Sequence, residues 1–287
     1  MPEAHDIGPI EALISIVILL IIGSSALLWI KQLLGGKEIE DAEREPLPAW
    51  PIGWTNFLIF ICAIITGIFF MQIFVGALFS ETIKTADGEF TMGTAILSVC
   101  ILHIPLLGVF FGLRRAYPLH YSGNLNSKRL SFGQAFPRAL VLFVRFVPVI
   151  WIASLIWGGI IYLLEVEAPP QPLVTLFAEG GNVLGMILLT LFAVILAPIS
   201  EELIFRGCFY RFLKSKTNIP FAFLISGVFF SLMHANLATF VPLMVIGILL
   251  AYIYEEEGNI LIPICFHACF NALSLLITFL LSQTTAV

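Results

Sequence analysis

Apolar runs near twenty residues recur from one end of this 287-residue chain to the other. As helix, each is long enough to cross a hydrocarbon core of about 30 Å. Backbone polar groups inside a bilayer must be bonded within such helices or within a closed barrel. The short alternating segments of a membrane barrel are not found in the sequence. Only 11% of the residues are charged, against about a quarter in a soluble domain. The expected fold class is all-α, a polytopic membrane helical bundle of about eight transmembrane helices. The spans fall at roughly 9–34, 54–82, 93–115, 139–164, 181–213, 218–235, 238–255 and 259–282. The first follows an acidic start and is too long for a cleavable signal, so it is expected to be retained.

The loops carry the orientation signal. Lys31, Lys37 and Arg44 flank the first loop, and Arg114, Arg115, Lys128, Arg129 and Arg138 flank the third. Arg206, Arg211, Lys214 and Lys216 cluster near the end of the fifth span, whereas the fourth and sixth loops hold no Lys or Arg. By the positive-inside rule the odd loops face the cytoplasm and both termini lie outside. The proline-rich segment between spans four and five, EVEAPPQPLVTLFAEGG, reads as a loop. Cys62, Cys100, Cys208, Cys265 and Cys269 are scattered through apolar segments with no CxxC pair, and read as small packed hydrophobes.

Against that background the stretch APISEELIFRGCFY, residues 197–210, is anomalous. An ionisable group at mid-helix costs about 2.5–3.5 kcal/mol on insertion scales, so such groups persist mainly where something uses them. Glu202 and Arg206 are spaced i,i+4 with the acid first, the favourable order for an intrahelical pair. Glu201 is turned about 100° from Glu202, so one acid can pair with Arg206 while the other faces elsewhere. A self-neutralising pair accounts for Glu202 and Arg206 but leaves Glu201 without a partner.

Two further stretches carry polar groups at helical spacing. In FFSLMHANL, Phe230 and His234 share a face; in CFHACFNAL, His267 and Asn271 do. Glu201 and His234 lie roughly 20–25 Å from the turn expected near residues 215–218, so antiparallel neighbours can bring them together. Interhelical hydrogen-bond glue would also account for His267 and Asn271. Taken together, a carboxylate, two imidazoles, an amide and an arginine-held acid can hydrolyse an amide: a Glu base activates water, a His orients it, and His and Asn donate to the oxyanion. The same Glu201, His234 and His267 could instead hold zinc with water as fourth ligand, although neither His sits in an HExxH motif. His103, beside Pro105, reads as a structural residue.

EELIFR (201–206), FSLMH (230–234) and HACFN (267–271), in that order, resemble the EExxxR, FxxxH and HxxxN motifs of the CAAX-processing and bacteriocin-processing intramembrane endopeptidases, the type II CAAX prenyl protease and lysostaphin-resistance-like group. The resemblance covers about residues 181–282, which divides the chain into N-terminal helices of unassigned role (1–180) and a catalytic-type helical core (181–287). It implies that Glu201 is the general base with His234 beside it, that His267 and Asn271 form the oxyanion site, and that Glu202 and Arg206, with Phe230, support them. The substrate class it implies is a membrane-associated peptide or lipidated protein in a prokaryotic cell membrane. No nucleic-acid partner is expected. Family members with immunity or scaffolding roles leave a non-catalytic reading open. A proton-coupled transporter is less consistent with the lack of repeats and of paired broken helices.

Overall fold

The computed structural model describes residues 8–34, 46–85, 91–121, 123–169, 171–179 and 182–285. Lys37 and Arg44 of the first basic loop lie outside the described residues. Eight long apolar helices are present among the described residues: α1 (Pro9–Leu34), α2 (Trp54–Leu78), α3 (Met92–Ala116), α4 (Phe132–Leu163), α5 (Val183–Lys216), α6 (Ile219–Met233), α7 (Phe240–Glu257) and α8 (Leu261–Thr285). Six of them (α1 to α5 and α8) are long and apolar enough to cross a membrane. The chain is an integral membrane protein with an all-helical fold.

Sequence explains most of the boundaries. Asn218 caps α6 by accepting from Phe221 N–H at 2.9 Å. Gly258, at φ 63°, ends α7 in the left-handed region that glycine enters without strain. Two boundaries differ from the sequence reading. Helix α4 begins at Phe132 rather than near 139, because Ser131 and Gln134 form a capping box ahead of Pro137. The segment read as a loop after α4 contains a short helix, Pro172–Glu179, whose Phe177 is buried with Ala95 and Leu189. Burial of one aromatic ring outweighs the proline-rich flank there.

The loops sort to two ends. At one end Arg211 Nε donates to Pro48 O at 2.6 Å, Lys214 Nζ to Leu47 O at 2.8 Å, and Asn259 Nδ2 to Lys128 O at 2.8 Å. The segment around loop one is thereby tied to the basic end of α5 and the segments around loops three and seven to each other, while Lys214 pairs with Glu255 next to loop seven. At the other end Trp157 Nε1 donates to Leu237 O at 2.8 Å and Asn236 Nδ2 to Pro169 O at 3.0 Å, joining the segments around loops four and six. An alternating up-and-down path produces this sorting.

Helices α1 and α2 keep large apolar side chains such as Leu19, Leu20, Phe69 and Phe70 on the outside, the faces that meet lipid. Helices α6 and α7 cross closely at Gly227 and Gly247. A Cβ on Gly227 would lie 2.8 Å from Met244 O, and one on Gly247 would lie 2.8 Å from Gly227 Cα. Small residues at such a crossing let backbones approach within a membrane bundle. Gly227→Leu is expected to lower stability by about 1–3 kcal/mol through overpacking, read as a drop in the thermal midpoint of the detergent-purified protein.

Candidate active site

Helix α5 carries the paired acids and is not a plain α-helix. Its 34 residues contain two π-helical stretches, Phe192–Leu196 and Phe205–Tyr210, on either side of the α-helical Ala197–Ile204. A π turn takes more residues per turn and so rotates the next part of the helix. The first leaves one backbone carbonyl to be met from elsewhere. Ala197 N–H reaches back five residues to Phe192 O. In that register Ala193 O would next receive Pro198, which has no N–H. The carbonyl is satisfied from another helix: Asn271 Nδ2 of α8 donates to it at 2.8 Å.

Between the two π turns the acids part company. Glu202 and Arg206 are fully buried and joined at 2.9 Å from Arg206 Nη1 to Glu202 Oε1. The same oxygen receives His267 Nδ1–H at 2.9 Å. Arg206 Nη2 donates to Gly247 O at 2.9 Å, and the guanidinium lies 4.6 Å from the centre of the Phe230 ring. A buried charge requires such pairing, although Glu202 Oε2 and Arg206 Nε make no hydrogen bond among the described residues. Glu201, by contrast, keeps 14% of its side chain exposed, and its Oε2 makes no hydrogen bond among the described residues. That oxygen stands 3.9 Å from His267 Nε2, beyond hydrogen-bond length.

Phe230 is the spacer of the site. Its ring centre is 4.9 Å from that of His234 and 5.8 Å from that of His267. His234 caps α6, followed by Ala235 at φ 45°. Its Nδ1 lies 2.8 Å from Phe230 O. A carbonyl only accepts, so Nδ1 carries the proton and Nε2 of the neutral ring is left as an acceptor. In His267 likewise, Nδ1–H is committed to Glu202 and Nε2 faces Glu201.

Glu201, Glu202, Arg206, Phe230, His234 and His267 are thus gathered around one point by α5, α6 and α8. Asn271 lies one turn further along α8 and engages the π turn. Among the described residues, no three of His, Cys, Asp and Glu stand close enough together to hold a metal ion. Glu201, His234 and His267, the set that could alternatively hold zinc, do not form such a group among the described residues.

One residue of the site neighbourhood reads from sequence as merely structural. His103 of α3 is buried, and its Nδ1 lies 2.6 Å from Oγ of Ser200, the residue before Glu201. Its charge would interact with Glu201, His234 and His267. A polar residue beside a helix-interior proline in an apolar span was the available signal.

Residues 182–273 match the family model described as type II CAAX prenyl endopeptidase Rce1-like. The chain is 37% identical over 84 residues to "Putative membrane peptidase YdiL" of Bacillus subtilis, covering 29% of this chain and 34% of that protein. It is 33% identical over 91 residues to "UPF0177 protein YxdF" of Lactococcus lactis, covering 30% and 50%. It is 28% identical over 149 residues to an "Uncharacterized 24.3 kDa protein" of Escherichia coli, covering 49% and 69%. The matched stretch therefore spans a third to a half of the length of the first two relatives. No solved structure matches.

Asn271→Leu is expected to leave Ala193 O unpaired and to cost about 1–3 kcal/mol. Adding Pro198→Ala, which supplies an N–H in the π register, is expected to recover part of that loss. Thermal unfolding of the single and double variants in one detergent checks both.

Proposed function

We propose that this chain, whose residues 182–273 match the Rce1-like family of membrane proteins, is an intramembrane endopeptidase. The observation that carries the reading is the division of labour between adjacent carboxylates. Glu202 Oε1 is bonded to both Arg206 and His267, while Glu201 Oε2 makes no hydrogen bond and stands 3.9 Å from His267 Nε2.

The reaction follows from those positions. Glu201 accepts a proton from water, and the hydroxide oxygen forms a bond to the scissile carbonyl carbon. His234 accepts the second hydrogen of that water at Nε2 and so orients it. The carbonyl electrons move to oxygen. When both of its ring nitrogens carry hydrogen, His267 donates to that oxyanion from Nε2 while Nδ1–H stays on Glu202. Asn271, anchored on Ala193 O through one amide hydrogen, offers the other. Collapse breaks the C–N bond, and the leaving nitrogen takes the proton held by Glu201.

Access for water has a structural basis. Helix α6 has 15 residues, a length of about 22 Å against a hydrocarbon core of about 30 Å. Its polar end at His234 therefore stops inside the membrane. The substrate class supported by the family is a membrane-associated peptide, with a prenylated CAAX-type carboxyl terminus as the form to test first. The basic end of α5 is assigned to the cytoplasm by its Lys and Arg content, which puts both termini outside.

The test uses proteoliposomes and internally quenched peptides ending in a CAAX-type tetrapeptide, with and without a farnesyl group on the cysteine. Glu201→Gln is expected to lower kcat by about 10²–10⁴-fold, the range for loss of a general base, with an unchanged thermal midpoint. A chelator arm distinguishes a metal-dependent rate from a Glu/His-held water. Cleavage at the wild-type rate by Glu201→Gln would remove Glu201 from the chemistry.

A further inference from the structure

The N-terminal helices supply a side chain to the site. Helix α3 packs along the Ala197–Ile204 segment that bears both acids. At that contact His103 and Ser200, both buried, meet at 2.6 Å. Ser200 Oγ also donates to Ala197 O at 3.0 Å. A hydroxyl has one hydrogen; with that hydrogen on Ala197 O, the Ser200 oxygen accepts from His103 Nδ1–H. Ser200 is held from two sides, and the next residue in the helix is Glu201.

His103 is the buried ionisable side chain of α3. Pro105 lies two residues beyond it in the same helix. That proline withholds the N–H that Ile101 O would receive in an α-helix, which loosens the turn around His103. An imidazole in an apolar span is costly, and neither the Glu202–Arg206 pair nor the two motif histidines needs it for neutralisation.

We infer that His103 is a positioning residue for Glu201. Its hydrogen bond to Ser200 fixes the rotation of the Ala197–Ile204 turn, flanked as that turn is by two π stretches that otherwise leave its rotation adjustable. The site is then a composite of both halves of the chain, completed by α3. This inference rests on Glu201 being the reactive carboxylate.

The experiment separates the two ideas by reading Glu201 with and without turnover. Labelling of Glu201 by dicyclohexylcarbodiimide, mapped by mass spectrometry, reports its setting in the absence of substrate. Cleavage of the farnesylated reporter reports kcat and KM. His103→Leu is expected to change the Glu201 labelling rate by about threefold or more and to lower kcat by about 10–100-fold with KM unchanged, as for a displaced reacting group. His103→Asn, whose Nδ2 can donate to Ser200 in place of Nδ1, is expected to restore both. Ser200→Ala is expected to match His103→Leu, and the double variant to be no worse than either, the mark of a shared interaction.

Wild-type labelling and kcat in His103→Leu would overturn the inference. So would an Asn variant as impaired as the Leu variant, or additive losses in the double variant. If His103→Leu does not fold, His103→Asn and Ser200→Ala carry the comparison. If the wild type cleaves no reporter, the proposed function fails for this substrate class while the labelling arm still decides the role of His103.

Discussion

A fully buried ion pair between Glu202 and Arg206 sets the terms for the core of this protein. Inside an apolar bundle the pair needs further partners, and three are present, while Glu202 Oε2 and Arg206 Nε make no hydrogen bond among the described residues. Each of those partners comes from a different helix. His267 Nδ1–H comes from α8, the Gly247 carbonyl from α7, and the face of Phe230 from α6. Because Gly247 also meets Gly227 without a side chain between them, the close α6–α7 crossing delivers that carbonyl to the guanidinium. One electrostatic requirement thus draws four helices to a point, and the neighbouring Glu201 is carried to the edge of that point, where its Oε2, itself buried, is left unbonded.

The second ingredient is the departure of α5 from regular helix. In the i,i+5 register of the first π turn Pro198 has no N–H to give Ala193 O, and Asn271 makes good the missing hydrogen bond. The polar residue of the third motif therefore has a structural task on the helix that carries the first motif. Motif residues that look like separate recruits to a reaction are bonded to one another through backbone groups the sequence does not display.

Much of this architecture is legible in the sequence. The eight apolar runs are the eight helices, since span length and hydropathy are read directly from composition. The i,i+4 spacing of Glu202 and Arg206 implies their pairing, and two polar residues on one face of α8 imply an inward-facing helix. The first π turn is not legible, because the carbonyl it leaves unpaired is met by a residue 78 positions away. The helix Pro172–Glu179 is hidden by its prolines. His103 is hidden because its partner, Ser200, is an ordinary residue whose importance comes only from standing next to Glu201. Helix α3, which precedes residue 180, packs against the Ala197–Ile204 segment beyond it.

The central claim, that Glu202 and Arg206 act as a mutually dependent buried pair around which the site assembles, is tested most directly by a stability cycle. Unfolding free energies would be measured in one detergent for wild type, Glu202→Leu, Arg206→Leu and the double variant. Each single change strands a buried charge and is predicted to cost about 3–5 kcal/mol, with the double variant more stable than either. Losses that simply add in the double variant, or single variants as stable as wild type, would contradict the account.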